Sequence, residues 1–176
     1  MPNLRQKINA HNKSILHSTH DLPKSCNCRE PANCPLNGNC LQSSVIYQAT
    51  VETNDNKPSQ TYIGLTENSF KTRFTNHRNS FKDHKKKLST ELSKHVWKLK
   101  EANVHFQISW KILKHAASYN PVSERCNLCL WEKYFIICRP ELATLNRRNE
   151  LVSSCRHARK YLLSNLICWF TSAQHY

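Results

Sequence analysis

Residues 45–77 read VIYQATVETNDNKPSQTYIGLTENSFKTRFTNH, and this stretch decides the fold. Successive side chains of an extended chain point to opposite faces, so Val45, Tyr47, Ala49 and Val51 share one face of a first strand. A polar span through Asn54, Asp55, Asn56 and Pro58 suits a hairpin loop longer than two residues. Thr61 to Leu65 then supplies a second strand with Tyr62 and Gly64 in it. Thr66, Glu67, Asn68 and Ser69 offer N-cap candidates for a helix. Within that helix Phe70, Phe74 and Phe81 mark a buried stripe, while Arg73 and His77 lie one turn apart on an adjoining face. Two phenols on neighbouring strands, followed by a guanidinium and an imidazole on one helix, make a layout suited to a phosphate.

Upstream, residues 25–42 read SCNCREPANCPLNGNCLQ. Cys26, Cys28, Cys34 and Cys40 are interrupted by Pro31, Pro35 and Gly38, and the segment has too few apolar side chains to fold on its own. Four thiolates around one Zn²⁺ would cross-link it, although C-x-C-x5-C-x5-C is not a common finger spacing. A loop with free thiols or a redox-labile pair is the other reading. Residues 1–25 are basic, and Leu4, Ile8, Ile15 and Leu16 permit a short helix without demanding one.

Downstream, KDHKKK at 82–87 is a basic connector. A solvated face, a phosphate contact and an import signal all fit a run this short. Leu92, Val96 and Leu99, with Trp97 beside them, give a second helix from about 89 to 101 that Asn103 ends. Val104, Phe106, Ile108, Trp110 and Ile112 alternate with polar residues as a half-buried strand does. Leu128, Trp131, Phe135 and Cys138 recur as a buried helix face, closed by Pro140, with the carboxylate of Glu132 next to it. Cys126, Cys129, Cys155 and His157 pair a C-x2-C with a C-x-H, a second candidate zinc set; the alternative is a buried Cys155 and a solvated His157. Cys138 and Cys168 read as core or free thiols, and residues 165–176 show no period.

Composition narrows the partners. Of the 176 residues 26 are Lys or Arg against 12 Asp or Glu, a formal charge of +14 that favours a polyanion, nucleic acid ahead of an anionic membrane. With only two glycines, Gly38 and Gly64, a P-loop or dinucleotide fingerprint is excluded. The sequence shows no leader layout and no apolar run long enough to span a bilayer. The expectation is a soluble intracellular protein whose nine cysteines are reduced thiols or metal ligands.

The run VIY at 45–47 and YIG at 62–64, with Arg73 and His77 after them, resembles the GIY-YIG endonuclease signature. Val45 stands where that family has its first glycine. The resemblance implies the catalytic roles. Tyr47 is carried over as general base with Tyr62 as its partner, since the family's members divide on which tyrosine acts. Arg73 is the helix arginine, His77 the helix histidine of some members, Glu132 the metal-binding glutamate and Asn146 the late asparagine. The chemistry agrees with the residue types. A phenol is a poor base at neutral pH unless neighbours favour its ionised form. A guanidinium fits non-bridging phosphate oxygens bidentately. Glu132 suits one Mg²⁺ or Mn²⁺ shared with water and phosphate.

The flanks CNCREPANCPLNGNC, CNLCLWEKY and ELVSSCRHARKYLLSN are similar to the endonuclease region of Penelope-like retroelements. There the nuclease follows a reverse transcriptase, so this chain is expected to be a detached or truncated copy that acts on DNA in the nucleus. The expected fold is α/β: a small, mainly antiparallel three-stranded sheet (near 45–51, 60–65 and 104–113) flanked by helices, with zinc-stapled segments. The expected organisation is a basic arm (1–25), a cysteine-rich segment (26–41), a nuclease domain (42–163) and a tail (164–176). Two rivals stand beside a nicking DNA endonuclease: a catalytically silent zinc-bearing DNA-binding module, and a cellular GIY-YIG repair or flap nuclease.

Overall fold

The computed structural model describes residues 3–9, 25–55, 57–122 and 126–147. Residues 4–9 are helical (α1) and present Leu4 and Ile8 to solvent. There follow strands β1 (Val45–Thr53) and β2 (Gln60–Thr66), helices α2 (Phe70–Ser80) and α3 (Glu91–Glu101), strand β3 (Phe106–His115) and helix α4 (Asn127–Cys138). The expected strands and helices are therefore present, with ends displaced by a few residues.

The sheet has the order β2-β1-β3 and is antiparallel throughout, with β1 at its centre. Val51 pairs with Gln60 and Val45 with Thr66 along the hairpin, which brings the two tyrosine-bearing strands side by side. On the other edge the β1–β3 register shifts between Ile46 and Tyr47, where Ile46 faces Lys114 but Tyr47 faces Ile112. Such a bulge adds local twist and re-aims the neighbouring side chain. The outer edge of β2 is covered by residues 144–146. Leu145 N–H donates to Thr61 O at 2.9 Å, and Thr61 N–H donates to Thr144 Oγ1 at 2.8 Å. An edge strand is thereby kept from pairing with other chains.

The two faces of β1 feed separate cores. Odd positions Val45, Tyr47, Ala49 and Val51 pack with Tyr62, Phe70, Leu92 and Val96, so α2 and α3 cover this face. Even-numbered Ile46 packs with Ile63 against Leu128, Cys129 and Ile136 of α4 on the other. Phe70 has no exposed surface; truncating such a residue to Ala costs about 3–5 kcal/mol. No helix among the described residues is long and apolar enough to cross a membrane.

One helix face differs from the expectation. In α4 the buried residues are Leu128, Cys129, Lys133 and Ile136, while Trp131 and Phe135 are only partly covered and Cys138 is exposed. Apolar residues occur on nearly every side of this helix, so their spacing alone does not select the side that meets the sheet.

The helix ends are capped by local chemistry. Ser69 caps α2 and Thr90 caps α3, each accepting with its side chain from the backbone N–H three residues on. At the end of α3, Asn103 adopts φ 52°. Its N–H donates to Lys100 O, and Val104 N–H donates to Leu99 O at 2.9 Å. These are the two bonds of a Schellman termination, with asparagine in the left-handed position.

Candidate active site

The hairpin fixes the phenols. Tyr47 stands opposite Gly64 and Ala49 opposite Tyr62, so both tyrosines lie on the α2 side of the sheet. A methyl group built on Gly64 would lie 2.4 Å from Tyr47 Oη, which is no contact that two atoms can hold. Hydrogen at position 64 therefore lets the phenol cross β2. A glycine within a strand is the sequence sign of such an approach, and it was the available clue to this residue.

Tyr47 is fully buried, and its oxygen meets two residues of α2. Arg73 Nε–H donates to it at 3.0 Å, and His77 Nε2 lies 2.8 Å away. With the guanidinium donating inward, both bonds are satisfied when the phenol donates to an unprotonated Nε2, the ring proton then sitting on Nδ1. The electrostatics agree. Burial, and then the Arg73 charge, push His77 down to about 3, so its ring is neutral. Burial pushes the Tyr47 phenol up to about 12 against the opposing effect of Arg73, and Glu132 adds to the rise. Burial lowers Arg73, but Tyr47, Tyr62 and Glu132 more than offset it and hold the guanidinium charged.

The His77 ring is boxed by aromatic rings, with centroids of Trp110 at 5.4 Å, Tyr47 at 5.9 Å and Tyr62 and Phe81 at 6.0 Å. Such a box fixes the imidazole's orientation before any ligand arrives.

The structure thus gathers Tyr47, Tyr62, Arg73 and His77 in one place. Glu132 is carried by α4, half-buried, and its charge reaches both Tyr47 and Arg73. Asn146 is used differently. Its Oδ1 accepts from Ile63 N–H at 2.7 Å and its Nδ2 donates to Ile63 O at 3.0 Å, so the carboxamide clamps β2 one residue from Tyr62.

A second cluster lies at the start of α2. The Sγ atoms of Cys26, Cys28, Cys34 and Cys40 all lie within 4.8 Å of one another and can hold a metal ion. Cys40 Sγ is 3.6 Å from that of Cys26 and 3.7 Å from that of Cys28. Burial would raise the Cys34 thiol, but backbone hydrogen bonds at Leu36 and Gly38 bring it down to about 6. Burial and then the neighbouring thiols push Cys40 up to about 12. These sulfurs cannot all ionise comfortably without a cation among them.

This knuckle caps the helix that carries Arg73 and His77. Phe70 N–H donates to Gln42 O at 2.8 Å and Lys71 N–H to Cys40 O at 2.7 Å. The Lys71 ammonium donates to Asn27 O at 3.1 Å and to Asn27 Oδ1 at 2.6 Å. Two of the four orphan amides of α2 are thus satisfied from the knuckle, a link that no feature of the sequence announces. Cys126 and Cys129 are buried at the start of α4. Cys155, His157 and Cys168 lie outside the described residues, as do residues 164–176. No family model matches this chain, and no curated protein and no solved structure matches it.

Proposed function

We propose that the chain is a metal-dependent DNA endonuclease of the GIY-YIG type. The observation that carries this reading is the buried Tyr47 hydroxyl, held between Arg73 Nε and His77 Nε2 with Glu132 near enough to be felt by both Tyr47 and Arg73. The surplus of 14 positive charges supports a polyanionic substrate.

In hydrolysis a water oxygen bonds to phosphorus as the bond to the leaving oxygen breaks. The water's proton passes to Tyr47 Oη while the phenol's own proton passes to His77 Nε2; the leaving oxygen takes a proton from solvent, and His77 returns its proton to solvent to restore the site. His77 is a weak acceptor at rest, because burial and the Arg73 charge depress it. A phosphodiester seated on Arg73 adds negative charge beside that cation and removes much of the second cause. Arg73 engages Tyr47 through Nε, and its terminal nitrogens would take the non-bridging oxygens of a bound phosphate. A divalent cation at Glu132, Mg²⁺ or Mn²⁺, would supply charge at the reacting phosphate and the leaving oxygen. One carboxylate suits such an ion, which keeps water and phosphate as its other ligands.

The reading assigns Zn²⁺ to the four-cysteine knuckle. Zn–S bonds of about 2.3 Å in a tetrahedron put sulfurs roughly 3.8 Å apart, close to the 3.6 and 3.7 Å separations found. It extends to a second zinc on Cys126, Cys129, Cys155 and His157, on the strength of their spacing. The likeness of the flanks to Penelope-like elements supports a retroelement origin, with a nick that exposes a primer end in nuclear DNA.

The test is relaxation of supercoiled DNA in Mg²⁺ or Mn²⁺. The parent nicks, and Glu132→Ala is slower by about 10²-fold or more. A parent that binds DNA yet leaves it intact in both metals would be the silent binding module instead. One that cuts only branched substrates would be a repair or flap nuclease.

A further inference from the structure

Beside Tyr47, α2 and the segment leading into α3 enclose an open cleft of about 410 Å³. Arg73, Asn76 and His77 line it from α2, and Lys86, Ser89 and Thr90 from the segment leading into α3. No carboxylate lines it among the described residues. Two cations line it, Arg73, which holds the Tyr47 oxygen, and Lys86.

Its walls are fixed from beneath. Ser93 Oγ, with no exposure, meets Ser80 Oγ at 2.6 Å, Thr90 Oγ1 at 3.2 Å and Ser89 Oγ at 3.3 Å. The nearby acids are accounted for. Glu91 pairs with Lys94 and with Arg147 at 3.2 Å. Asp83 stands 3.8 Å from Lys86, both side chains about half exposed, a separation at which the pair is weak and Lys86 can turn to a stronger partner. A polar, cationic cleft without acidic walls selects an anion. Because it shares Arg73 and His77 with the reaction site and opens to solvent, its occupant must be continuous with the substrate.

We infer that this cleft seats a second phosphate of the same nucleic-acid strand, next along the backbone from the one at Tyr47, with Lys86 as its counter-charge and Asn76 as a hydrogen-bond donor. This rests on the endonuclease reading and deepens it: the substrate is held as a run of backbone phosphates along α2, which positions the strand without reading its bases. Lys86 belongs to the basic connector, so one member of that run contacts phosphate, while Lys87 pairs with Glu101 and Lys85 is exposed.

The experiment measures binding of a fluorescent DNA duplex to Tyr47→Phe protein across a salt series, adding Lys86→Ala, Lys85→Ala or Asn76→Ala. Lys85 is the control, adjacent in sequence but not lining the cleft. Lys86→Ala is expected to weaken binding about tenfold and to lower the salt slope by about one. Lys85→Ala is expected to change affinity by less than about twofold. Asn76→Ala should weaken binding with no change of slope, since it removes no charge. In otherwise unaltered protein, Lys86→Ala should raise KM and leave kcat in place. A parent that nicks DNA while Lys86→Ala and Lys85→Ala bind alike refutes the second phosphate site alone. A parent that neither binds nor nicks refutes the reading of the Tyr47 site, and this one with it.

Discussion

The cysteine knuckle and the three-stranded sheet adjoin in sequence and are held by different forces. In the sheet Val45, Ile46, Tyr47 and Ala49 have no exposed surface, and full burial of a large apolar side chain contributes about 1.5–3 kcal/mol. Between residues 25 and 42 only Cys34, Leu36 and Cys40 are buried. The one regular piece there is a 3₁₀ turn over Pro31–Asn33, and Asn37 and Gly38 adopt positive φ. Little apolar surface is covered to order that segment, and its four sulfurs lie where a metal ion could cross-link it. The two regions meet at α2. The sheet fixes where the Tyr47 oxygen lies, and the knuckle fixes where the helix bringing Arg73 and His77 begins.

The largest separable effect lies on the sheet side and appears with acid. His77 has a folded pKa of about 3 against 6.5 for the free side chain. As pH falls through that window the unfolded chain binds a proton that the folded chain refuses. Stability is therefore complete above 6.5 and falls by about 1.4 kcal/mol per pH unit towards 3. Urea unfolding at stepped pH should show this loss in the parent and a flatter acid limb in His77→Gln. Any acid release of metal from the knuckle is common to both proteins, so the difference isolates the sheet. Equal slopes would mean that the imidazole is not held neutral.

On the knuckle side, chelation or Cys40→Ser should leave the sheet folded while α2 loses the order of the acceptors for Phe70 N–H and Lys71 N–H, bonds worth about 0.5–1.5 kcal/mol each. Hydrogen exchange should then quicken at residues 70 and 71 and not in β1. If the chain cleaves DNA as proposed, a displacement of Arg73 by even 1 Å would slow that cleavage by about 10²-fold. Unchanged exchange at the start of α2 in metal-free protein would show that the two regions are independent.

The smallest effect comes from a single methyl group within the sheet. Gly64→Ala sets a carbon where the Tyr47 hydroxyl crosses β2, and overpacking of this kind costs about 1–3 kcal/mol. Thermal unfolding should register that loss while the metal content stays the same. An alanine variant as stable and as active as the parent would show that the phenol does not need the space.

Most of this was legible where periodicity had one meaning. The alternation in β1 and β3 and the spacing of Leu92, Val96 and Leu99 place strands and a helix close to where they occur. Tyr47, Tyr62, Arg73 and His77 stand together in the resemblance, and the structure brings them to one place. The face of α4 was not legible, because apolar residues lie on most of its sides and packing makes the choice, leaving even Lys133 buried. Nor was the use of Asn146, whose two bonds to Ile63 depend on how residues 144–146 return along β2. The capping of α2 by Gln42 and Cys40 is a tertiary contact through backbone carbonyls, which side-chain patterns do not encode.

The proposed chemistry turns on the Tyr47 oxygen, and a single-turnover nicking rate tests its role. Parent and Tyr47→Phe would be compared at saturating protein with equal metal content. Loss of a general base costs about 10²–10⁴-fold, so the phenylalanine protein is predicted to bind DNA as the parent does and to nick it about 10³-fold more slowly. A Tyr47→Phe protein that nicks at the parent's rate would contradict the account.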